Sequence, residues 1–130
     1  MKIMFASDIH GSAYYCRKML DIYSESGAGR LVILGDILYH GPRNDLPREY
    51  APKEVIAMLN PLKNQIYAIR GNCDTEVDQM VLEFPILADY GLLVLEGKVF
   101  LRHTRTLYTT RITFRHCRTE ISWYMVTPIY

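Results

Sequence analysis

The chain has few of the features that mark secreted, membrane-spanning or nucleic-acid-binding proteins. Its 130 residues include three cysteines at no metal-ligand spacing, which favours a reducing compartment over a disulfide framework. No apolar run is long enough to cross a bilayer, and the polar residues Asp8 and His10 come too early for a signal peptide. The formal net charge of +1 gives no general attraction to nucleic acid or to an anionic membrane. These absences predict a cytoplasmic protein with neither of those partners.

Glycine and alanine are also missing from the last part of the chain. All eight glycines lie in residues 1–101, where ten basic and thirteen acidic residues give a net charge of −3. Residues 102–130 carry five arginines against one glutamate, a net charge of +4, together with seven threonines. A folded continuation of an α/β domain would keep its glycine turns and its Leu, Val and Ala core. We therefore predict that residues 1–101 are the N-terminal part of a domain and that 102–130 are a tail that builds no strands of a packed sheet.

The first 70 residues alternate between short apolar runs and helical patterns. Three apolar runs predict β-strands: residues 2–6, 31–34 and 65–69. Apolar residues at helical spacing follow Ser12 as far as Gly27, and they recur over residues 54–62. The order strand, helix, strand, helix, strand predicts right-handed crossovers and a parallel sheet.

An antiparallel meander is predicted after this unit. Short apolar segments bounded by turn residues suggest three further strands: residues 84–88, 91–95 and 98–101. Gly91 and the Glu96-Gly97 pair would supply the turns between them.

Metal-capable side chains follow each of the three predicted parallel strands. Asp8 and His10 follow the first strand, Asp36 follows the second, and Asn72 and Asp74 follow the third. Because the carboxyl ends of parallel strands meet at one edge of a sheet, we expect these residues to converge. Nitrogen and oxygen donors without thiolate suit Mn, Fe or Zn better than Ca, and they are also compatible with Mg. A carboxylate that bridges two such ions would help to activate a hydroxide and to bind phosphoryl oxygens.

Each of these residues also has an ordinary structural interpretation. A single Asp after a strand is more often a turn or cap residue than a ligand, whereas three polar elements after three successive strands favour a metal site. His40 and Arg43 fit a solvated loop and a substrate-binding loop equally well. Cys73 fits a small buried thiol better than a reactive one.

Three motifs carry a family resemblance. SDIHG at 7–11, GD at 35–36 and RGNCD at 70–74 resemble the first three signature motifs of the calcineurin-like metallophosphoesterases, and the surrounding sequence resembles a bacterial phosphodiesterase branch of that family. The resemblance covers residues 1–101. It implies a four-layer α/β/β/α sandwich that is incomplete at its C-terminus. It also implies an enzyme that hydrolyses small phosphodiesters and needs two divalent metal ions, for which Mn is the usual choice in assays.

The resemblance also implies roles for individual residues. Asp8 and His10 would hold one ion, Asp36 would bridge, and Asn72 would hold the second ion. Many relatives have a histidine after that asparagine and use it near the leaving group. Because Cys73 stands there in this chain, we assign no general acid, and catalysis is attributed only to the metal-activated hydroxide.

Two later histidine motifs of the family are missing from the chain. Residues 107–130 can be translated back into codons, with the wobble bases chosen freely. If that nucleotide sequence is then read in the frame that starts at the third base of each codon, it permits the protein sequence LYHPDNLPALSDGDILVYGHTHI. That reading resembles the missing family segment, and Trp123 and Met125 fix two of its residues, Val and Gly. We therefore predict that the chain is frameshifted from about residue 102 and ends early. A genuine short variant with a new tail is the alternative.

Three functional interpretations stay open at this point. The first is a metallophosphoesterase that hydrolyses phosphodiesters, and the second is a non-catalytic binding module of the same fold. The third is an inactive truncated product. The presence of Asp8, His10, Asp36 and Asn72 favours enzyme ancestry, whereas the loss of the histidine motifs favours an impaired product.

Overall fold

The computed structural model describes residues 2–95, 98–103 and 121–123. This part of the chain contains three α-helices, six β-strands and a 3-10 turn over Asn60–Leu62. In chain order the helices and strands are β1 (Ile3–Ala6), α1 (Ala13–Ser26), β2 (Arg30–Ile33), α2 (Pro52–Leu59), β3 (Ile66–Ala68), α3 (Glu76–Val81), β4 (Tyr90–Leu95), β5 (Lys98–His103) and β6 (Ile121–Trp123). None of the helices in these ranges has the length and apolar character needed to cross a bilayer.

The larger sheet has four parallel strands in the order β3-β2-β1-β6. In its register Ile3 lies opposite Arg30, and Leu31 lies opposite Ile66. The strand-helix-strand-helix-strand prediction for residues 2–69 is therefore confirmed, with each strand boundary within two residues of the expected one. Because β1, β2 and β3 are parallel neighbours, the loops that follow them emerge at the same edge of the sheet.

One strand comes from the region in which the sequence predicted none. Strand β6 pairs in parallel with β1, so that Ile121 lies opposite Ile3 and Trp123 opposite Phe5. The sequence Ile-Ser-Trp alternates apolar and polar residues, and the side of β1 away from β2 presents a second row of backbone donors and acceptors for pairing. The expectation that the tail forms no strand is therefore wrong for these three residues, and also for residues 102–103 at the end of β5.

Helix α1 begins and ends where the sequence indicates. The Ser12 hydroxyl accepts a hydrogen bond from the backbone N–H of Tyr15 at 3.2 Å, which satisfies one of the free donors of the first turn. Gly27 ends the helix in the left-handed conformation, with φ of +68°, which an L-residue rarely adopts. One side of α1 is buried in the core: Ala13, Cys16, Met19 and Tyr23.

The segment from 74 to 88 differs from its prediction. The polar stretch contains helix α3, whose first turn is closed by a capping box between Thr75 and Asp78. Residues 84–88 do not form the predicted strand. Phe84 and Ile86 instead insert singly into the core, and Pro85 has no N–H to donate to a ladder.

The two faces of the larger sheet are covered differently. Helices α1 and α2 pack over the face that carries Met4 and Ile33, where they enclose the main core. The opposite face carries a smaller cluster of Ile3, Phe5 and Val32, against which Leu93 of β4 packs. Strands β4 and β5 form the predicted antiparallel hairpin, with Leu95 opposite Lys98, while the predicted turn at residues 96–97 lies outside the described residues. The described part therefore contains helix, sheet and hairpin layers.

Candidate metal centre

The loops that follow β1 and β2 are joined by backbone hydrogen bonds beyond the ends of the strands. The N–H of His10 donates to the carbonyl of Asp36 at 2.9 Å, and the N–H of Gly11 donates to the carbonyl of Ile37 at 2.8 Å. The N–H of Asp8 donates to the carbonyl of Gly35 at 3.2 Å. The two loops therefore rise together from the carboxyl edge and hold their side chains at a fixed separation.

Three of the predicted ligands have an unusual backbone conformation. Asp8, His10 and Asp36 have φ angles of +59°, +49° and +56°, in the left-handed region that L-residues avoid. Such a residue costs of order 1–3 kcal/mol, and it persists only where the surrounding structure determines it. Such strained residues cluster at functional sites in many proteins, so this edge of the sheet is the candidate site.

The imidazole of His10 is fixed in one orientation. Its Nδ1 lies 2.7 Å from the carbonyl oxygen of Tyr39, so Nδ1 carries the proton and donates it to that oxygen. The other nitrogen, Nε2, lies 3.5 Å from Oδ1 of Asp8 and 4.0 Å from Oδ2 of Asp36. A buried histidine that donates through one nitrogen and presents the other to carboxylates has the arrangement typical of a metal ligand.

Asp8 and His10 stabilise each other's charged forms. The hydrogen bond to Asp8 raises the pKa of His10 above its ordinary value, against the opposite effect of burial. Burial acts to raise the pKa of Asp8, but hydrogen bonds with His10 and Ser7 outweigh it and hold that pKa below its usual range. The carboxylate form of Asp8 is therefore favoured at neutral pH, as a metal ligand requires.

Negative charge accumulates around Asp36. Burial raises the pKa of Asp36, and the carboxylates of Asp74 and Asp8 raise it further. The pKa of the Cys73 thiol is raised to about 11. Burial is the main cause, and the carboxylates of Asp36, Asp74 and Asp8 add to it. A divalent cation would relieve this repulsion, because its charge favours the ionised form of every neighbouring acid.

The donor atoms fit a divalent ion. One atom from each of His10, Asp36 and Cys73 lies within 4.8 Å of the others, and Asp8 borders the same group through Nε2 of His10. At a pKa of about 11 the Cys73 thiol is protonated at neutral pH, so the carboxylates and the imidazole are the stronger ligands. The set of oxygen and nitrogen donors suits Mn, Fe or Zn.

Asn72 lies beside this group on the loop after β3. Its side-chain Nδ2 donates to Sγ of Cys73 at 3.1 Å, and the side chain is exposed. The backbone N–H of Cys73 donates to Oδ1 of Asp36 at 2.7 Å, which ties this loop to the predicted bridging carboxylate. Three of the four predicted ligands, Asp8, His10 and Asp36, thus come together directly, and Asn72 is the neighbour of a residue bonded to Asp36.

The loop over residues 40–44 lies against Cys73. A Cβ on Gly41 would stand 3.3 Å from Sγ of Cys73, and the positive charge of Arg43 acts to lower the pKa of that thiol. Nδ1 of His40 is buried and has no hydrogen-bond partner among the described residues. Both predicted substrate-binding residues are therefore carried by a loop that borders the candidate centre.

Comparison with known proteins gives the family. The family model of the calcineurin-like phosphoesterases matches residues 1–122 of the chain. The chain belongs to the calcineurin-like phosphoesterase family. The match extends past residue 101, whereas the division into 1–101 and 102–130 remains a prediction.

Phosphodiesterases from Escherichia coli are among the proteins similar to the chain. Phosphodiesterase YfcE of strain K12 and its counterpart of strain O157:H7 are each 54% identical to the chain over 104 residues, which cover 79% of this chain and 56% of theirs. A solved structure of YfcE, described as a phosphoesterase from E. coli, superimposes with a TM-score of 0.78 at 50% identity, covering 82% of this chain and 58% of that one. The chain thus spans a little over half the length of the relatives it matches.

The sequence analysis missed one group at the candidate centre and did not predict the bonding of another. The carbonyl of Tyr39 fixes the tautomer of His10, but a backbone oxygen has no sequence signal. Asp74 was grouped with the metal-capable residues, yet its carboxylate accepts backbone N–H groups of Asp36, Ile37 and Gly71. The RGNCD motif signalled its importance without indicating this bonding.

Proposed function

We propose that the chain is part of a metal-dependent phosphodiesterase whose centre is formed by Asp8, His10, Asp36 and Asn72. The observation that carries this proposal is the convergence of Nε2 of His10 with the carboxylates of Asp8 and Asp36, while Nδ1 of His10 is held by a carbonyl. Its relatives named phosphodiesterase YfcE support the substrate class, a small phosphodiester.

In this proposal each residue has a separate task. Asp8 and His10 would hold one divalent ion, Asp36 would bridge, and the amide oxygen of Asn72 would hold the second ion. When bound, the ions supply an activated hydroxide and neutralise charge on the phosphoryl oxygens. We propose Mn as the metal, since the donor set combines carboxylate, imidazole and amide.

Substrate binding is assigned to the loop that borders Cys73. Arg43 supplies a positive charge for a phosphodiester anion, and His40 lies on the same loop. No side chain is assigned as general acid, because the thiol of Cys73 is the neighbouring candidate and its pKa of about 11 makes proton transfer near pH 7 inefficient.

The cell compartment and the range of partners are proposed from the composition of the chain. Cys16 and Cys73 are both free thiols, which fits the cytoplasm. The net charge of +1 supports neither nucleic acid nor membrane as a partner. Fractionation of the source cells would test the compartment.

The experiment is a Mn²⁺ titration by calorimetry combined with hydrolysis of a chromogenic aryl phosphodiester. Asp36→Asn removes one charge from the centre, and Asp21→Asn makes the same change on an exposed position of α1. We expect Asp36→Asn to weaken Mn²⁺ binding by more than the roughly 10–100-fold that loss of an outer-shell partner costs. Asp21→Asn should leave binding unchanged.

Two outcomes would count against the proposal. Equal Mn²⁺ affinity in Asp36→Asn and the unchanged chain would remove Asp36 from the centre. Normal Mn²⁺ binding without any hydrolysis of the diester would favour the alternatives, an inactive product or a non-catalytic binding module of the same fold.

A further inference from the structure

Asp74 is a buried carboxylate that binds only backbone groups in the hydrogen bonds described for its side chain. It is 2% exposed. Oδ2 accepts the N–H of Asp36 at 2.8 Å and the N–H of Gly71 at 2.7 Å, and Oδ1 accepts the N–H of Ile37 at 2.9 Å. A carboxylate stabilised by three N–H donors is a strong and directional acceptor.

These bonds connect the loops that follow β2 and β3. Two of the donors belong to the loop of Asp36, and the third belongs to the loop of Asp74 itself. The link is reciprocal, because the backbone N–H of Cys73 donates to Oδ1 of Asp36 at 2.7 Å. Each loop therefore uses a carboxylate to bind the backbone of the other.

The contact also determines the conformation of Asp36. Its φ of +56° is unfavourable for an L-residue, so neighbouring bonds must compensate for it. Asp74 bonds the N–H of Asp36 and the next N–H in the chain, so it fixes the peptide groups on both sides of this residue. With the backbone held and Oδ1 bonded to Cys73, Oδ2 of Asp36 is left facing Nε2 of His10 at 4.0 Å.

From this geometry we propose that Asp74 is a positioning residue that sets the orientation of Asp36 before any metal binds. It would not ligate an ion itself, since both its oxygens are engaged by backbone donors. The inference rests on the proposed function, because Asp36 is the carboxylate assigned to bridge the ions. It adds that the affinity of the centre depends on a side chain outside the ligand set.

The test compares Asp74→Asn and Asp74→Glu with Asp78→Asn in the full chain. The amide introduced by Asp74→Asn can accept with one oxygen only, so at least one of the three N–H groups loses its acceptor. Glutamate keeps the charge but displaces both oxygens. Asp78→Asn makes the same charge change four residues along, where the bonds described for the carboxylate go to the N–H and hydroxyl of Thr75 at the start of α3.

Two quantities are measured: Mn²⁺ affinity by calorimetry, and amide hydrogen exchange of the metal-free protein at Asp36, Ile37 and Gly71. We expect Asp74→Asn to weaken Mn²⁺ binding roughly 10–100-fold, as loss of an outer-shell partner commonly does. Exchange at the three amides should accelerate at least about 10-fold, since local opening releases them. Asp74→Glu should show both effects, which separates position from charge, and Asp78→Asn should show neither.

The outcomes distinguish this proposal from the proposed function. If Asp74→Asn and Asp74→Glu bind Mn²⁺ as the unchanged chain does, Asp74 is not a positioning residue. If only Asp74→Asn loses affinity, charge alone is responsible and the proposal is wrong. If the unchanged chain binds no Mn²⁺, the proposed function fails, and the exchange rates in the metal-free protein then decide whether Asp74 holds the loop of Asp36. Should Asp74→Asn not fold, Asp74→Glu provides the same comparison.

Discussion

At the scale of single residues, the candidate centre depends on two glycines at which the loops meet. Gly35 has a φ of +90°, and a Cβ there would overlap the backbone nitrogen of Gly71. A Cβ on Gly71 would in turn overlap Oδ1 of Asp36. Side chains are therefore excluded at both positions. The absence of these two side chains lets Asp74 and Asp36 bond each other's loops.

Replacement of Gly35 by alanine should therefore destabilise the fold strongly. The left-handed φ alone costs about 1–2 kcal/mol for an L-residue, and displacement of the Gly71 backbone adds to it, so we expect a loss of roughly 2–5 kcal/mol in the free energy of unfolding. Gly27 also has a left-handed φ, but a Cβ there would have no atom within 4 Å, so Gly27→Ala should lower the free energy of unfolding by about 1 kcal/mol. Gly29→Ala meets neither obstacle. Urea denaturation of the three variants checks the order; equal costs at Gly35 and Gly27 would contradict the close contact.

At the scale of elements, Ser12 connects helix α1 to the loop that precedes α2. Its hydroxyl accepts from the N–H of Tyr15 at 3.2 Å and donates to the carbonyl of Arg48 at 2.5 Å. The side chain is fully buried, so the hydroxyl itself has no access to water and depends on these two bonds. Since α1 starts directly after His10 and Gly11, the cap also fixes the end of the loop that carries Asp8 and His10.

We expect Ser12→Ala to lower the free energy of unfolding by roughly 1–3 kcal/mol, because it removes the cap and leaves the N–H of Tyr15 and the carbonyl of Arg48 without their partner. Ser24→Ala is the matched control, because its exposed hydroxyl donates to the carbonyl of Asp21 within the same helix. That control should change stability by less than about 0.5 kcal/mol. If denaturant titrations give the two variants the same midpoint, the Ser12 bonds contribute nothing measurable.

The predictability of each element followed the strength of its local signals. Helix α1 was predictable because Ser12 and Gly27 mark its ends. Strands β1, β2 and β3 were predictable because each apolar run ends in a polar loop. Helix α3 was not predicted, because six residues are too few to show a helical pattern of apolar residues. Its sequence signal was the three-residue spacing of Thr75 and Asp78, which form its capping box. The strand predicted over 84–88 was wrong because apolar character there reflects insertion of single side chains into the core, which a short window does not distinguish from a strand.

At the scale of the whole molecule, the site was predictable where it depends on topology. Parallel neighbours bring Asp8, His10 and Asp36 to one edge of the sheet whatever the details of the loops. The orientation of these side chains was not predictable, because it depends on backbone partners such as the Tyr39 carbonyl and the N–H of Cys73. Such groups occur in almost every residue and have no distinct sequence pattern.

The tail gives the last prediction, which concerns the reading frame. Residues 102–130 have a net charge of +4 and no glycine, yet a shift of frame permits a segment that ends in YGHTHI. Histidines supplied by that segment would add imidazole donors to a centre in which the described residues provide one, His10. We therefore expect a frame-restored version to bind Mn²⁺ roughly 10–100-fold more tightly than the present chain and to hydrolyse an aryl phosphodiester correspondingly faster.

A version with residues 104–130 in scrambled order tests whether the present tail contributes through β6. Scrambling should lower the stability of the protein but leave its metal affinity unchanged. Calorimetry and initial rates on the three proteins, with resequencing of the gene across these codons, provide the measurement. Equal affinity and turnover in the present and the restored chains would show that the missing histidine motifs are dispensable and that the roles carried over from the family are wrong.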